Sequence, residues 1–243
     1  MSNSYDIIIL VEGESDQKFF AKLLEAKEVK SGEKGFFVDI SGEAGKRAQI
    51  VSVEGKCNMT FNQVERYRKD TLIIQDADDD YEKSSEKLEE LKRECVKNNI
   101  KLEYYLICKK DQQYGMLENI LIDYLNEDLM ENSKKLAEDL GGIICKEDSW
   151  QQIFSDITTN QDLENKKIVK SLATIFTNII KKTDYNDFFY SEEMVAKLIE
   201  SSSQCEIIKN EIKQKLEQIL DFKKIERQGK PQIEYHLTSD IIL

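Results

Sequence analysis

Ile7-Ile8-Ile9-Leu10-Val11-Glu12-Gly13 is the stretch on which the fold turns. A short unbroken apolar run rich in β-branched side chains reads as a strand buried on both faces, and Glu12-Gly13 ends it. From there the period changes. Phe19, Phe20, Leu23 and Leu24 share one helical face, with Ser15 or Asp16 expected as the cap. Thr71-Leu72-Ile73-Ile74 repeats the first pattern and stops at Gln75-Asp76-Ala77-Asp78-Asp79-Asp80.

Between these runs, Phe36 to Ile40 and Ile50 to Val53 read as strands separated by a glycine-containing loop, and Thr60 to Lys69 as a short helix. Ser84 to Asn98 is expected to be a polar helix burying Leu88, Leu91 and Cys95, with Glu89 paired to Arg93 one turn on. Tyr104 to Cys108 is the next strand and Met116 to Leu125 the next helix. Buried strands alternating with amphipathic helices imply an α/β fold, a mostly parallel sheet flanked by helices. Beyond Asn126 the pattern is helical (Ile168 to Lys181, Glu192 to Glu200, Ile207 to Leu220), and Lys223 to Leu237 reads as a terminal hairpin. The expected division is 1–125 and 126–243, with the two parts packed together.

The 243 residues are 40% hydrophobic and 34% charged, which suits a folded chain with a heavily solvated surface. No stretch approaches a membrane span and Met1 to Asp6 has no leader pattern, so a cytoplasmic location is expected. Cys57, Cys95, Cys108, Cys145 and Cys205 are scattered and never form C-x-x-C, which argues against zinc and against a disulfide framework. A net charge of −12 disfavours non-specific polyanion binding, although a metal site concentrates carboxylates and local basic patches can guide a strand to it.

In an open parallel sheet, functional groups gather beyond the carboxyl ends of the central strands. Glu12 and Asp76 each follow such a run, with Asp78 and Asp80 on the same turn, so distant parts of the chain are expected to deliver carboxylates to one edge. Crowded like charges call for a cation, and oxygen-only ligands select a hard ion, Mg²⁺ or Mn²⁺. An acidic turn of this kind is often only a solvated loop with a helix cap, so the weight rests on the coincidence of the two turns. A calcium loop starting at Asp76 fails, because Tyr81 and Lys87 stand where glycine and glutamate are needed.

Leu10-Val11-Glu12-Gly13-Glu14-Ser15-Asp16 followed by Ile73-Ile74-Gln75-Asp76-Ala77-Asp78 resembles the Toprim pattern, most closely that of the overcoming-lysogenization-defect (OLD) nucleases and small standalone Toprim proteins. Tyr114-Gly115-Met116-Leu117-Glu118 resembles a Gly-Met-Leu-Glu segment of the standalone group. The resemblance spans about residues 5 to 125. It implies Glu12 as general acid/base or metal ligand, Asp76 and Asp78 as ligands, Asp16 as an added ligand, and Asp80 and Glu118 as further members of the set. It also implies a hydrolase acting on DNA or RNA, with an anti-phage effector that cleaves tRNA and is partnered by a separate ATPase as one form.

Lys56, Arg66, Arg68, Lys109 and Lys110 are candidates to track a phosphate backbone, and the basic tail around Lys223, Lys224, Arg227 and Lys230 is another. His236 and Trp150 are weak candidates for catalysis and base stacking. Self-association is compatible with the chain. The competing expectation is a non-catalytic α/β binding or regulatory module that keeps an acidic pocket.

Overall fold

A computed structural model of the chain describes residues 5–30, 35–40, 45–77, 80–108, 117–122, 124, 173–174, 177 and 185–227. Its centre is a six-stranded sheet in the order β2-β3-β4-β1-β5-β6. The strands are β1 (Ile7–Val11), β2 (Lys27–Val29), β3 (Gly35–Asp39), β4 (Arg47–Ser52), β5 (Asp70–Asp76) and β6 (Leu102–Ile107). Four of them, β4, β1, β5 and β6, run parallel, while β3 joins β4 and β2 joins β3 antiparallel.

β1 lies at the middle of the parallel set, and all five of its residues are buried. Its side chains alternate between two cores. Ile7, Ile9 and Val11 join Leu72, Ile74 and Ile107 on one face, and Ile8 and Leu10 join Ile73, Leu102 and Leu106 on the other. Each such buried aliphatic side chain contributes about 1.5–3 kcal/mol, which is why the continuous apolar run belongs in a doubly covered strand.

On the first face lie α1 (Glu14–Leu23), helical residues 117–122, α4 (Tyr185–Tyr190), α5 (Glu192–Ser201) and α6 (Ser203–Arg227). The second face carries α2 (Phe61–Tyr67) and α3 (Tyr81–Lys97). The late helices therefore share the core of the early strands. A row of rings runs from Tyr124 through Phe188 and Phe189 to Phe19, with centroids 6.5, 5.4 and 6.3 Å apart. Lys209 on α6 forms an ion pair with Glu25 at the end of α1.

Local structure departs from expectation at several places. Gly13, not Ser15 or Asp16, precedes α1; Asp16 instead turns back to accept the Gly13 N–H at 2.8 Å. Lys27 to Val29, too polar to read as a strand, pairs with β3 at the sheet's edge, where its side chains meet water. Glu89 does not pair with Arg93: its carboxylate takes the Tyr104 hydroxyl at 2.8 Å, and Arg93 Nε donates to the Glu89 carbonyl. Lys223 to Arg227 continue α6 rather than open a hairpin, because the Ile208, Ile212, Leu216 and Ile219 face already commits that chain to a long packed helix. The rest of the expected hairpin, with His236, lies outside the described residues, as do Trp150, Cys145 and most of the helix expected at 168–181.

Candidate metal centre

Parallel pairing of β1 with both β4 and β5 aligns three carboxyl ends at one edge of the sheet. Glu12 follows the last residue of β1, and Asp76 is the last residue of the neighbouring β5. The Asp76 N–H donates to Glu12 Oε1 at 3.4 Å, so these two positions, 64 apart in sequence, meet. Asp76 is 8% exposed, and its Oδ1 accepts the Leu117 N–H at 3.1 Å. That bond draws the start of the helical residues 117–122 against the end of β5 and brings in Glu118, itself 4% exposed.

The third parallel strand closes the turn from the other side. Past β4, Val53 N–H donates to the Val11 carbonyl at 3.0 Å and Gly55 N–H to the Glu12 carbonyl at 2.7 Å. The peptide groups on either side of the Glu12 Cα are thereby held, which leaves its carboxylate on a fixed base. Gly13 has a packing reason to be glycine, since a Cβ there would stand 3.2 Å from Asp16 Oδ2. Asp16 thus holds the turn through the Gly13 amide.

Asp80 lies farther along. Its Oδ1 accepts the Lys83 N–H at 2.9 Å, so it caps α3, where an anion also meets the positive end of the helix dipole. Asp78 lies outside the described residues. Among the described residues no group of three or more His, Cys, Asp or Glu is arranged to hold an ion.

The basic candidates divide. Lys56 begins the short 3-10 turn Lys56–Asn58 that follows the Gly55 contact with Glu12, at the acidic edge. Arg66 and Arg68 end α2 just before β5 begins, so the length of β5, roughly 20 Å, separates them from Asp76. Lys109 and Lys110 lie outside the described residues. No basic patch is therefore assembled by Arg66 and Arg68 at the turn.

Tyr190 was not legible from sequence as part of this region. Its hydroxyl donates to Glu14 Oε2 at 2.7 Å, two residues past Glu12, and Lys18 Nζ stands 3.7 Å from its ring centroid. The hydrogen bond to Glu14 raises the Tyr190 phenol above its ordinary pKa, because only the protonated phenol can donate it, and the Glu14 charge adds in the same direction. The only signal in the chain is the aromatic triplet Phe188-Phe189-Tyr190, in which two rings are buried and the third is not.

The donor set is all oxygen, as a hard cation requires, and Mg²⁺ completes its shell readily with water. Two carboxylate positions brought together by adjacent strands fit that chemistry. No helix among the described residues is long and apolar enough to cross a membrane. The chain matches no family model, no curated protein and no solved structure.

Proposed function

We propose that the chain is a Mg²⁺- or Mn²⁺-dependent Toprim-type nuclease that hydrolyses phosphodiester bonds in DNA or RNA in the cytoplasm. One observation carries this reading: Glu12 and Asp76, each at the carboxyl end of a buried parallel strand, lie within hydrogen-bonding reach of one another. It is supported by the resemblance of the Glu-Gly-x-x-Asp and Asp-x-Asp segments to the Toprim pattern. Glu12 and Asp76 would hold the ion, with Asp78 and Glu118 as further candidates. A bound divalent ion supplies charge neutralisation for the phosphate and acidifies a water.

The chain's own residues set the geometry around that chemistry. Gly55 and Val53 anchor the backbone on either side of Glu12, Asp16 fixes the turn, and the Leu117 amide orients Asp76. Glu12 is only half buried, unlike Asp76, and in this reading it would serve as the general acid/base. A separate ATPase partner and tRNA as the substrate belong to the same reading by family analogy alone.

A second reading, a non-catalytic binding or regulatory module, draws on Asp76 and Asp80 each accepting a helix amide. Incubating the chain with plasmid, single-stranded DNA and total tRNA, with and without Mn²⁺, separates the two. Cleavage that requires Mn²⁺ and disappears in Glu12→Gln and Asp76→Asn supports the nuclease. Metal binding with no cleavage of any substrate supports the module.

A further inference from the structure

We infer that Tyr190 and Lys18 form a subsite for an unpaired nucleotide of the nucleic-acid substrate, the ring of Tyr190 stacking on a base and Lys18 meeting the adjoining phosphate. The inference rests on the nuclease reading and specifies which form of substrate the site takes. Tyr190 is 45% exposed, although it ends a helix whose two preceding aromatics, Phe188 and Phe189, are buried. Its ring is not loose, because the bond to Glu14 and the Lys18 ammonium at 3.7 Å hold it against the first turns of α1. That helix springs directly from the Glu12-Gly13 turn.

An aromatic ring held in place and left half open to water next to a phosphate-handling turn is the element that binds single-stranded nucleic acid without base preference. The cation beside it adds to the attraction for a stacked base and for its phosphate. Lys22 follows Lys18 by one helical turn and is exposed, so α1 presents two ammonium groups leading away from the acidic turn. In a chain of net charge −12 this is a local path for a polyanion into a carboxylate-lined site. A duplex buries its base faces in its own stack and offers nothing to the Tyr190 ring, so the preference is for unpaired segments.

The test measures binding by fluorescence anisotropy of labelled single-stranded and duplex oligonucleotides with the full chain in a Glu12→Gln background, where turnover does not interfere. Tyr190→Leu should weaken single-strand binding about tenfold or more while leaving duplex binding unchanged, and Tyr190→Phe should retain it. Lys18→Ala should weaken it and lower the salt slope by about one. In the otherwise native chain, Tyr190→Leu should raise KM for a single-stranded substrate far more than it lowers kcat. Equal single-strand affinity in Tyr190→Leu and the parent, with unchanged circular dichroism, overturns the inference even if Mn²⁺-dependent cleavage is present. Single-strand binding lost in Tyr190→Leu but no cleavage by the native chain upholds the subsite and removes the nuclease reading instead.

Discussion

The Lys92 ammonium on α3 reaches around the outer edge of β6 to pair with Glu103 at 2.9 Å. Glu103 shares its face of the strand with Tyr105, which packs against the core under α6, whereas α3 covers the opposite face. The ion pair therefore crosses the edge of β6, the outermost strand of the sheet among the described residues. Lys215 on α6 crosses it in the other direction, with Nζ 5.9 Å from the Tyr104 ring. Together with α3 and α6 these side chains line a groove of about 460 Å³ along the strand. Lysines laid over an edge strand discourage a second strand from adding to it. The opposite edge, β2, is protected differently, by having three residues and little burial.

Removing the two straps should expose that edge. Lys92→Ala combined with Lys215→Ala is expected to self-associate at concentrations where the parent does not, read by sedimentation velocity. A double variant with the parent's distribution at every concentration would show that the lysines do not guard the strand.

Asp76 has a structural task that is separable from chemistry. Asp76→Ala strips the Leu117 amide of its acceptor in a buried setting and should cost about 1–3 kcal/mol. Asp76→Asn keeps a carbonyl oxygen there and should cost less, whereas under the proposed nuclease function both variants should abolish metal-dependent cleavage. Urea unfolding and cleavage rates on the same two variants make the comparison.

Asp80 is predicted to matter for stability through its cap. Asp80→Ala should destabilise by about 1 kcal/mol, and Asp80→Asn or Asp80→Ser by much less, because both still accept the Lys83 amide. Thermal unfolding distinguishes these. A large loss of cleavage in Asp80→Asn at unchanged stability would instead give this residue a role at the metal.

The Glu25–Lys209 pair ties α1 to α6 and makes stability depend on pH. Lys209 holds the Glu25 carboxyl below its ordinary pKa, first by hydrogen bonding and then by charge. A depressed folded pKa means the contribution is complete above the unfolded glutamate value of about 4.3. It fades as pH falls through the lower folded value. Glu25→Gln should therefore differ from the parent at pH 6 and converge with it at strong acidity, and salt should shrink the gap. A gap that widens toward acid would contradict this sign.

Thiol reactivity should follow burial. In a Cys145→Ser background, Cys57, which is exposed, should react quickly with an aromatic disulfide reagent at pH 8. Cys95 and Cys205 are buried and pushed up to about 11 by desolvation, so they should react only on unfolding. Cys108, half buried and raised by burial, should fall between them.

The fold was legible wherever burial is symmetrical. Ile7 to Val11 and Leu72 to Ile74 are apolar at every position because both faces of a central strand are covered, and that pattern needs no knowledge of its neighbours. The turns that end them could be read for the same reason. What chain order could not supply was pairing. Nothing local to Lys27-Glu28-Val29 marks a strand, which exists because β3 offers it an edge. Glu89 was equally ambiguous, having Arg93 within one turn and Tyr104 within reach across the fold.

By itself the sequence determined that two carboxylate turns follow two buried strands, because hydrophobic periodicity and strand-ending residues are properties of short windows. Only the tertiary structure decided that β1 and β5 are adjacent and parallel, which brings Glu12 to the Asp76 amide, and that Tyr190 closes over the first turn of α1. Those contacts join residues 64 and 176 positions apart, and no local propensity encodes which distant segment a side chain will meet. Packing of shared apolar faces selects the partner, and the polar groups at the rim are carried with it.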